Sequence, residues 1–304
     1  VAVSGPLHRV SIPLVAVAVA LAGGCDRAPS RGSIALYDDW GRRVELAAPT
    51  RRVVSLAPAT TELVFALGLG DRLVGRTRWC DYPAETRGVA DVGDGILPNV
   101  EAVAARQPDL VLLYASDANR SALGRLHALG IPVLVLRVDL ADDVRRAARL
   151  IAAAGGAPGT GDSLVAALDS ALAEVSAADS GSRRPRVYID VEPDPPLTIG
   201  RGSYLSQILD AAGADNVFGD IVAPSAPVSL EAIVARDPDA VLVLSYDTIR
   251  PPDLAARPGW RAVRAVRERK VVVVDGRLFG RPSPRMPLAV RDLARRLRSL
   301  PPRP

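Results

Sequence analysis

From residue 33 onward apolar and polar positions switch repeatedly between the period of a strand and the period of a helix. Residues 33–46 read as a hairpin, with Ile34 and Leu36 set against Val44 and Leu46 across the turn Asp39-Trp40-Gly41. The spacing then predicts a strand over 52–56, a helix over 60–67 stopped by Gly68, and a strand over 73–77. A helix over 100–105, a strand over 110–114, a helix over 121–129 ended at Gly130 and a strand over 132–138 follow. Helices over 142–154 and 160–178 come next, the second with no internal breaker and expected to close at Ser180-Gly181-Ser182. Its apolar positions Leu164, Val165, Leu168, Leu172 and Val175 keep the helical period, so it can lie as a strut across two bodies. Alternation then resumes with strands over 186–191, 241–246 and 271–274 and helices over 205–212, 230–235 and 287–300. Such alternation predicts an α/β fold of parallel sheets covered by helices.

The two halves repeat one another. Residues 100–113 (Val-Glu-Ala-Val-Ala-Ala-Arg-Gln-Pro-Asp-Leu-Val-Leu-Leu) align without gaps to residues 230–243 (Leu-Glu-Ala-Ile-Val-Ala-Arg-Asp-Pro-Asp-Ala-Val-Leu-Val), identical at eight of fourteen positions. In each copy a capping residue, Asn99 or Ser229, opens a helix with a glutamate in its first turn, and Pro-Asp closes it before a buried strand. Each half therefore presents one carboxylate, Glu101 or Glu231, at an equivalent place. Helix starts in parallel α/β sheets lie at the crevice end of the strands, so both glutamates are expected near the rim of a cleft between two lobes.

The first 25 residues are of another kind. His8 and Arg9 precede an apolar run over 10–21, and Ala22-Gly23-Gly24 leads into Cys25. The pattern is an export signal, and small residues before a cysteine resemble a lipobox, in which Cys25 becomes the lipidated first residue of the mature chain. Residues 26–33 suit a short flexible tether. With Cys25 acylated only Cys80 remains, so no intramolecular disulfide is expected, and Cys80 should be buried. The 304 residues leave room for two lobes: 34–157, then the helical connector over 158–182, then 183–304. A formal charge of +4, spread as arginines among acids with no basic-aromatic stripe, argues against nucleic acid.

Catalysis finds little support. One histidine, His127, remains after the leader, too few for a zinc or histidine-based site. There is no Gly-x-Ser-x-Gly elbow, and Gly68-Leu69-Gly70 follows a helix where a dinucleotide fingerprint follows a strand, so it reads as a helix stop. Gly200-Arg201-Gly202 reads as a tight turn. No enzyme activity, cofactor or resident metal is expected.

The segment Arg52-Val-Val-Ser-Leu-Ala-Pro-Ala-Thr-Thr-Glu-Leu-Val-Phe-Ala-Leu-Gly68, together with Cys80-Asp81-Tyr82-Pro83, both Glu-Ala repeats and Arg281-Pro-Ser-Pro-Arg285, resembles the helical-backbone class of periplasmic solute-binding proteins of ABC importers. That class serves cobalamin, haem and ferric siderophores, and the resemblance spans nearly all of residues 34–300. It implies two Rossmann-like lobes joined by one long helix, a ligand cleft between them, modest lobe closure, and a monomer held outside the cytoplasm in the cell envelope, here by a lipid anchor in the membrane. It also implies delivery to permease subunits with their ATPase, docked through Glu101 and Glu231. The cobalamin-binding branch is most similar, including the turn Pro195-Pro196-Leu197-Thr198. Carried over from it, Trp79, Tyr114, Leu197 and Arg281 are the ligand-binding candidates, with Tyr82 and Arg277 beside them. Arg285 is expected to cap or pair locally. Gly95 and Ser225 stand where that branch has tryptophans, and Arg277 where it has an aspartate. The implied cargo is a corrinoid, with a ferric siderophore or haem as the alternative, since arginines recognise carboxylates.

Overall fold

A computed structural model describes residues 1–2, 33–178, 183–193, 195–246 and 253–301. The expected leader with Cys25, nearly all of the tether and residues 180–182 lie outside the described residues. Every element below belongs to one unit, Gly32–Pro304.

The N-terminal lobe opens on the hairpin β1 (Ile34–Tyr37) and β2 (Arg43–Leu46), in register Ile34 to Leu46. Its turn is held by the buried Asp38 carboxylate, which accepts the backbone N–H of Trp40 and Arg42 and the Arg42 guanidinium. β3 (Val53–Ser55), α1 (Pro58–Ala66), β4 (Leu73–Arg76), α2 (Val100–Ala104), β5 (Leu110–Tyr114), α3 (Arg120–Ala128), β6 (Val133–Leu136) and α4 (Ala141–Ala154) complete it. Proline suits the first position of α1, where an N–H has no partner to lose, and Gly68 at φ +71° ends that helix as the sequence predicts.

α5 (Pro158–Ala178) crosses to the C-terminal lobe. Leu164 and Val165 pack into the core around Leu63, Leu112 and Ile151, whereas Leu172 and Val175 pack with Ile208, Leu242 and Leu293. One apolar stripe thus serves two cores, which makes the helix a strut. The second lobe runs β7 (Arg186–Asp190), β8 (Glu192–Pro193), β9 (Pro196–Ile199), α6 (Tyr204–Ala211), β10 (Asp215–Asn216), β11 (Ser225–Pro227), α7 (Leu230–Arg236), β12 (Ala240–Ser245), α8 (Arg264–Arg267), β13 (Val271–Asp275), α9 (Gly276–Phe279) and α10 (Met286–Arg298).

Strand order shows the duplication. The first lobe's sheet is β4-β3-β5-β6 and the second's is β10-β7-β12-β13, all parallel, so each runs second-first-third-fourth in its own chain order. The order reverses between β3 and β5, and again between β7 and β12. Ligands of open α/β sheets sit beyond the strand ends at such reversals. Pattern reading leaves out the short elements β10, α8 and α9 and the antiparallel sheet β11-β9-β8. The strands of that sheet are two to four residues long and carry Pro193, Pro196 and Pro227, and prolines demote a strand reading because they cannot donate to a ladder.

Candidate functional site

The ends of both parallel sheets open onto one cavity of about 1130 Å³. From the first lobe come Leu56 and Ala57 after β3, Trp79 after β4, Tyr114 at the end of β5, and residues 137–140 after β6. From the second come Val191 after β7, Leu244 and Tyr246 at the end of β12, the start of α6, and residues 279–282 after α9. This size exceeds the roughly 300–1,000 Å³ usual for small-molecule pockets, so the site is built for a large ligand.

Trp79 stands in the cavity wall and remains 53% exposed. Its indole N–H donates to Asp94 Oδ2 at 3.2 Å, while Asp94 Oδ1 accepts the Ile96 N–H at 2.9 Å. The Ile96 and Trp79 hydrogen bonds hold the Asp94 carboxyl below its ordinary pKa, with Arg78 adding to the effect. The carboxylate therefore stays charged and keeps the ring oriented. Tyr114 is fixed in the same manner, its hydroxyl donating to Asp139 Oδ1 at 2.6 Å. Burial first, and the Asp139 hydrogen bond second, push the phenol up to about 12. Two aromatic rings of the first lobe thus share one device: the polar tip is tied to a wall carboxylate and the ring face is left for contact.

Of the other ligand candidates, Arg281 lines the cavity but its guanidinium is bound to Asp81 Oδ1. Arg277 is off the wall, 3.2 Å from the other Asp81 oxygen. Asp81 belongs to the first lobe, so this pair of arginines ties the lobes together at one end of the cleft. Tyr82 is also off the wall, its ring lying 4.1 Å beneath the Arg285 guanidinium. Leu197 sits mid-strand in β9, opposite Glu192 and Pro227. Two residues on, about 7 Å along the strand, Ile199 reaches the wall in its place. Arg285 makes the expected local contact, donating to the Arg277 carbonyl at 3.0 Å, and its guanidinium also clamps Glu62 of α1 through two bonds, 2.7 and 2.6 Å, joining one lobe to the other.

The departures at Gly95 and Ser225 gain a physical reading. A Cβ on Gly95 would stand 2.0 Å from the Leu56 carbonyl oxygen, so no ring can project from that position on this backbone. Ile96, 62% exposed, supplies the apolar contact there. Ser225 is exposed in β11, and Pro224 beside it forms the wall.

Three wall-shaping residues escape the sequence reading. Tyr246 seats its ring over Gly276 and Gly280, where added Cβ atoms would lie 2.6 Å from the ring and hydroxyl. An aromatic residue at the crevice end of an apolar strand is a signal that marks Tyr114 and Tyr246 alike. Tyr204, at the first turn of α6, is buried in the wall. Fully buried Asn119 donates to the Gly95 and Tyr114 carbonyls, at 3.2 and 3.0 Å, and so holds the loop and strand end together. A lone asparagine between strand and helix carries no such signal in sequence.

Glu101 and Glu231 sit at the second positions of α2 and α7, where Asn99 and Ser229 cap by accepting the Ala102 and Ala232 N–H groups. Both are exposed and neither lines the cavity. Glu101 pairs with Arg125, and the Glu231 carboxyl is held below its ordinary pKa by its own backbone N–H and the Ser229 hydroxyl. Cys80 is buried, with Thr61 and Thr77 hydroxyls 3.1 and 3.2 Å from its sulfur. Among the described residues there is no cluster of side chains able to hold a metal ion, and no helix long and apolar enough to cross a membrane.

A family profile described as periplasmic binding protein matches residues 53–278. An uncharacterised ABC transporter substrate-binding lipoprotein of Bacillus subtilis, YvrC, is 33% identical over 268 residues, covering 86% of this chain and 84% of the relative. The vitamin B12-binding protein of Pectobacterium carotovorum is 28% identical over 255 residues, 83% of this chain and 90% of that one. Among solved structures, the periplasmic haem-binding protein RhuT of Roseiflexus superposes with a TM-score of 0.72 at 28% identity, covering 81% of this chain and 97% of that one. The profile spans most of the chain, and the chain belongs to the periplasmic binding protein family, as a substrate-binding protein of an ABC transporter.

Proposed function

We propose that the chain captures a corrinoid outside the cytoplasm, anchored to the membrane by lipid on Cys25, and hands it to a permease that docks on Glu101 and Glu231. The observation that carries the reading is the cavity wall: large, mostly apolar, with the rings of Trp79, Tyr114 and Tyr246 on it and no histidine, cysteine or methionine. A corrinoid brings its own saturated metal and needs ring faces and amide partners from the protein, whereas haem iron takes an axial ligand such as histidine, cysteine, methionine or tyrosine. The Tyr114 hydroxyl is committed to Asp139 and stays protonated at neutral pH. Arg277 and Arg281 weigh less toward an anionic chelate than they do in the sequence alone, because Arg277 is off the wall and Arg281 is neutralised by Asp81. The vitamin B12-binding relatives support the same cargo.

Titration of the mature domain with cyanocobalamin or cobinamide should quench tryptophan fluorescence to a 1:1 end point, with haem and ferric trihydroxamates inert. Silence with every corrinoid would overturn the reading. Haem is the second reading, favoured by one wall hydroxyl, that of Tyr246, and by the haem-binding structural relative. A Soret shift abolished by Tyr246→Phe would establish it.

Docking is separable from capture, since both glutamates are outside the cavity. Glu101→Arg with Glu231→Arg should abolish uptake in cells while leaving ligand affinity of the purified protein within about twofold, because exposed charges away from a site change stability and binding little. Unimpaired uptake by the double variant would remove the glutamates from the docking surface.

A further inference from the structure

Among the described residues five charged side chains line the cavity, and four are occupied. Asp94 accepts from Trp79 and Ile96, Asp139 accepts from Tyr114, Asp143 is bound by Arg146 and by the N–H groups of Asp139 and Leu140, and Arg281 is held by Asp81. The fifth, Arg137, follows β6 and is exposed, and its backbone N–H donates to Asp39. Among the described residues no hydrogen bond or ion pair reaches its guanidinium. A guanidinium carries five fixed N–H donors and no acceptor, and its fork matches the two oxygens of a phosphate or carboxylate.

We propose that Arg137 is the specificity-determining residue that reads an anionic group on the periphery of the ligand, a phosphodiester or a carboxylate. The identity of the anion rests on the corrinoid reading: complete cobalamins carry a phosphodiester in the nucleotide loop, and cobinamide has the same ring without it. The structure thereby assigns the protein a preference for the complete, nucleotide-bearing corrinoid.

The test is titration of the whole mature chain, wild type, Arg137→Gln and Arg137→Lys, with cyanocobalamin and with cobinamide, at low and high NaCl. Arg137→Gln should weaken cobalamin about ten- to hundredfold, the range for losing a charged hydrogen bond, and leave cobinamide within twofold. Arg137→Lys should fall between, keeping the charge but not the fork. Added salt should weaken cobalamin binding by the wild type and not by Arg137→Gln. Equal weakening of both corrinoids, or unchanged cobalamin affinity, would overturn the proposal. If the wild type binds neither corrinoid, the corrinoid reading fails by itself. Haem, with two propionates, and a neutral ferric trihydroxamate then decide: loss confined to haem in Arg137→Gln upholds anion recognition, and equal or absent loss, or no binding by either protein, refutes it.

Discussion

Replacing Trp79 by alanine should weaken ligand binding about thirty- to hundredfold while the melting temperature falls by only a few degrees. The size follows from area: a tryptophan buries some 150–250 Å² when covered, and with 53% of Trp79 still exposed roughly 100 Å² remains for the ligand. At about 25 cal/mol per Å² that amounts to roughly 2–3 kcal/mol. Stability is spared because Trp79 belongs to none of the four core clusters. Trp260 provides the contrast. It is 3% exposed and packs against Tyr188 at 6.0 Å between ring centroids, so Trp260→Ala should cost about 3–5 kcal/mol of stability, with any loss of binding following the loss of folded protein. Calorimetric titration beside thermal unfolding separates the two. Trp79→Phe should recover most of the affinity, since a ring face remains; if it binds as poorly as Trp79→Ala, the Asp94 hydrogen bond matters and not the face. An alanine variant that binds like the wild type would move the ligand away from this wall.

Why could Trp79 be found in the sequence when Tyr246 and Asn119 were not? Trp79 and Tyr114 are positions that the resemblance to the cobalamin-binding branch marks, and Tyr114 also ends an apolar strand, which parallel-sheet geometry sends to the crevice. The duplicated Glu-Ala helix announced two equivalent lobes, and the strand orders repeat as it implied. The candidates that lie off the cavity wall share a reason for it. Tyr82, Arg277 and Leu197 lie close in sequence to true wall residues, but their neighbours across space take them: Arg285 covers the Tyr82 ring, Asp81 draws Arg277, and the β8 and β11 strands flank Leu197. Partners some 200 residues away, such as Asp81 for Arg281, have no local pattern to announce them. Nor does a glycine state that a carbonyl lies where its Cβ would be, as Leu56 does for Gly95.

The cross-lobe ion pairs also bear on how the cleft is held, and the buried pair carries the second large expected effect. Apart from Ala141, which joins the second lobe's core, the two halves keep separate hydrophobic clusters, so outside α5 their mutual surface is largely polar. On that surface Ala141 N–H donates to Gln207, Asp81 holds Arg277 and Arg281, and Glu62 with Arg285 lies deepest, the glutamate side chain 1% and the arginine 14% exposed. Arg285→Met would strand the Glu62 carboxylate in a site where, among the described residues, no other cation is bonded to it, and stranding a buried charge costs about 3–5 kcal/mol. The double variant Glu62→Gln with Arg285→Met strands nothing and should recover most of that loss, as apolar or neutral replacement of both partners commonly does. Urea unfolding of the four proteins gives the coupling energy directly as a double-mutant cycle. Arg285→Met within about 1 kcal/mol of the wild type would place the pair with exposed bridges of small effect and sink the argument. Arg277→Gln, which removes one half-exposed partner of Asp81 and leaves Arg281, should by the same reasoning stay within about 1 kcal/mol. The difference between those two variants follows from burial and from the partner left behind, since both arginines meet a first-lobe carboxylate: Asp81 is partly exposed and keeps Arg281, whereas Glu62 is buried and loses its guanidinium.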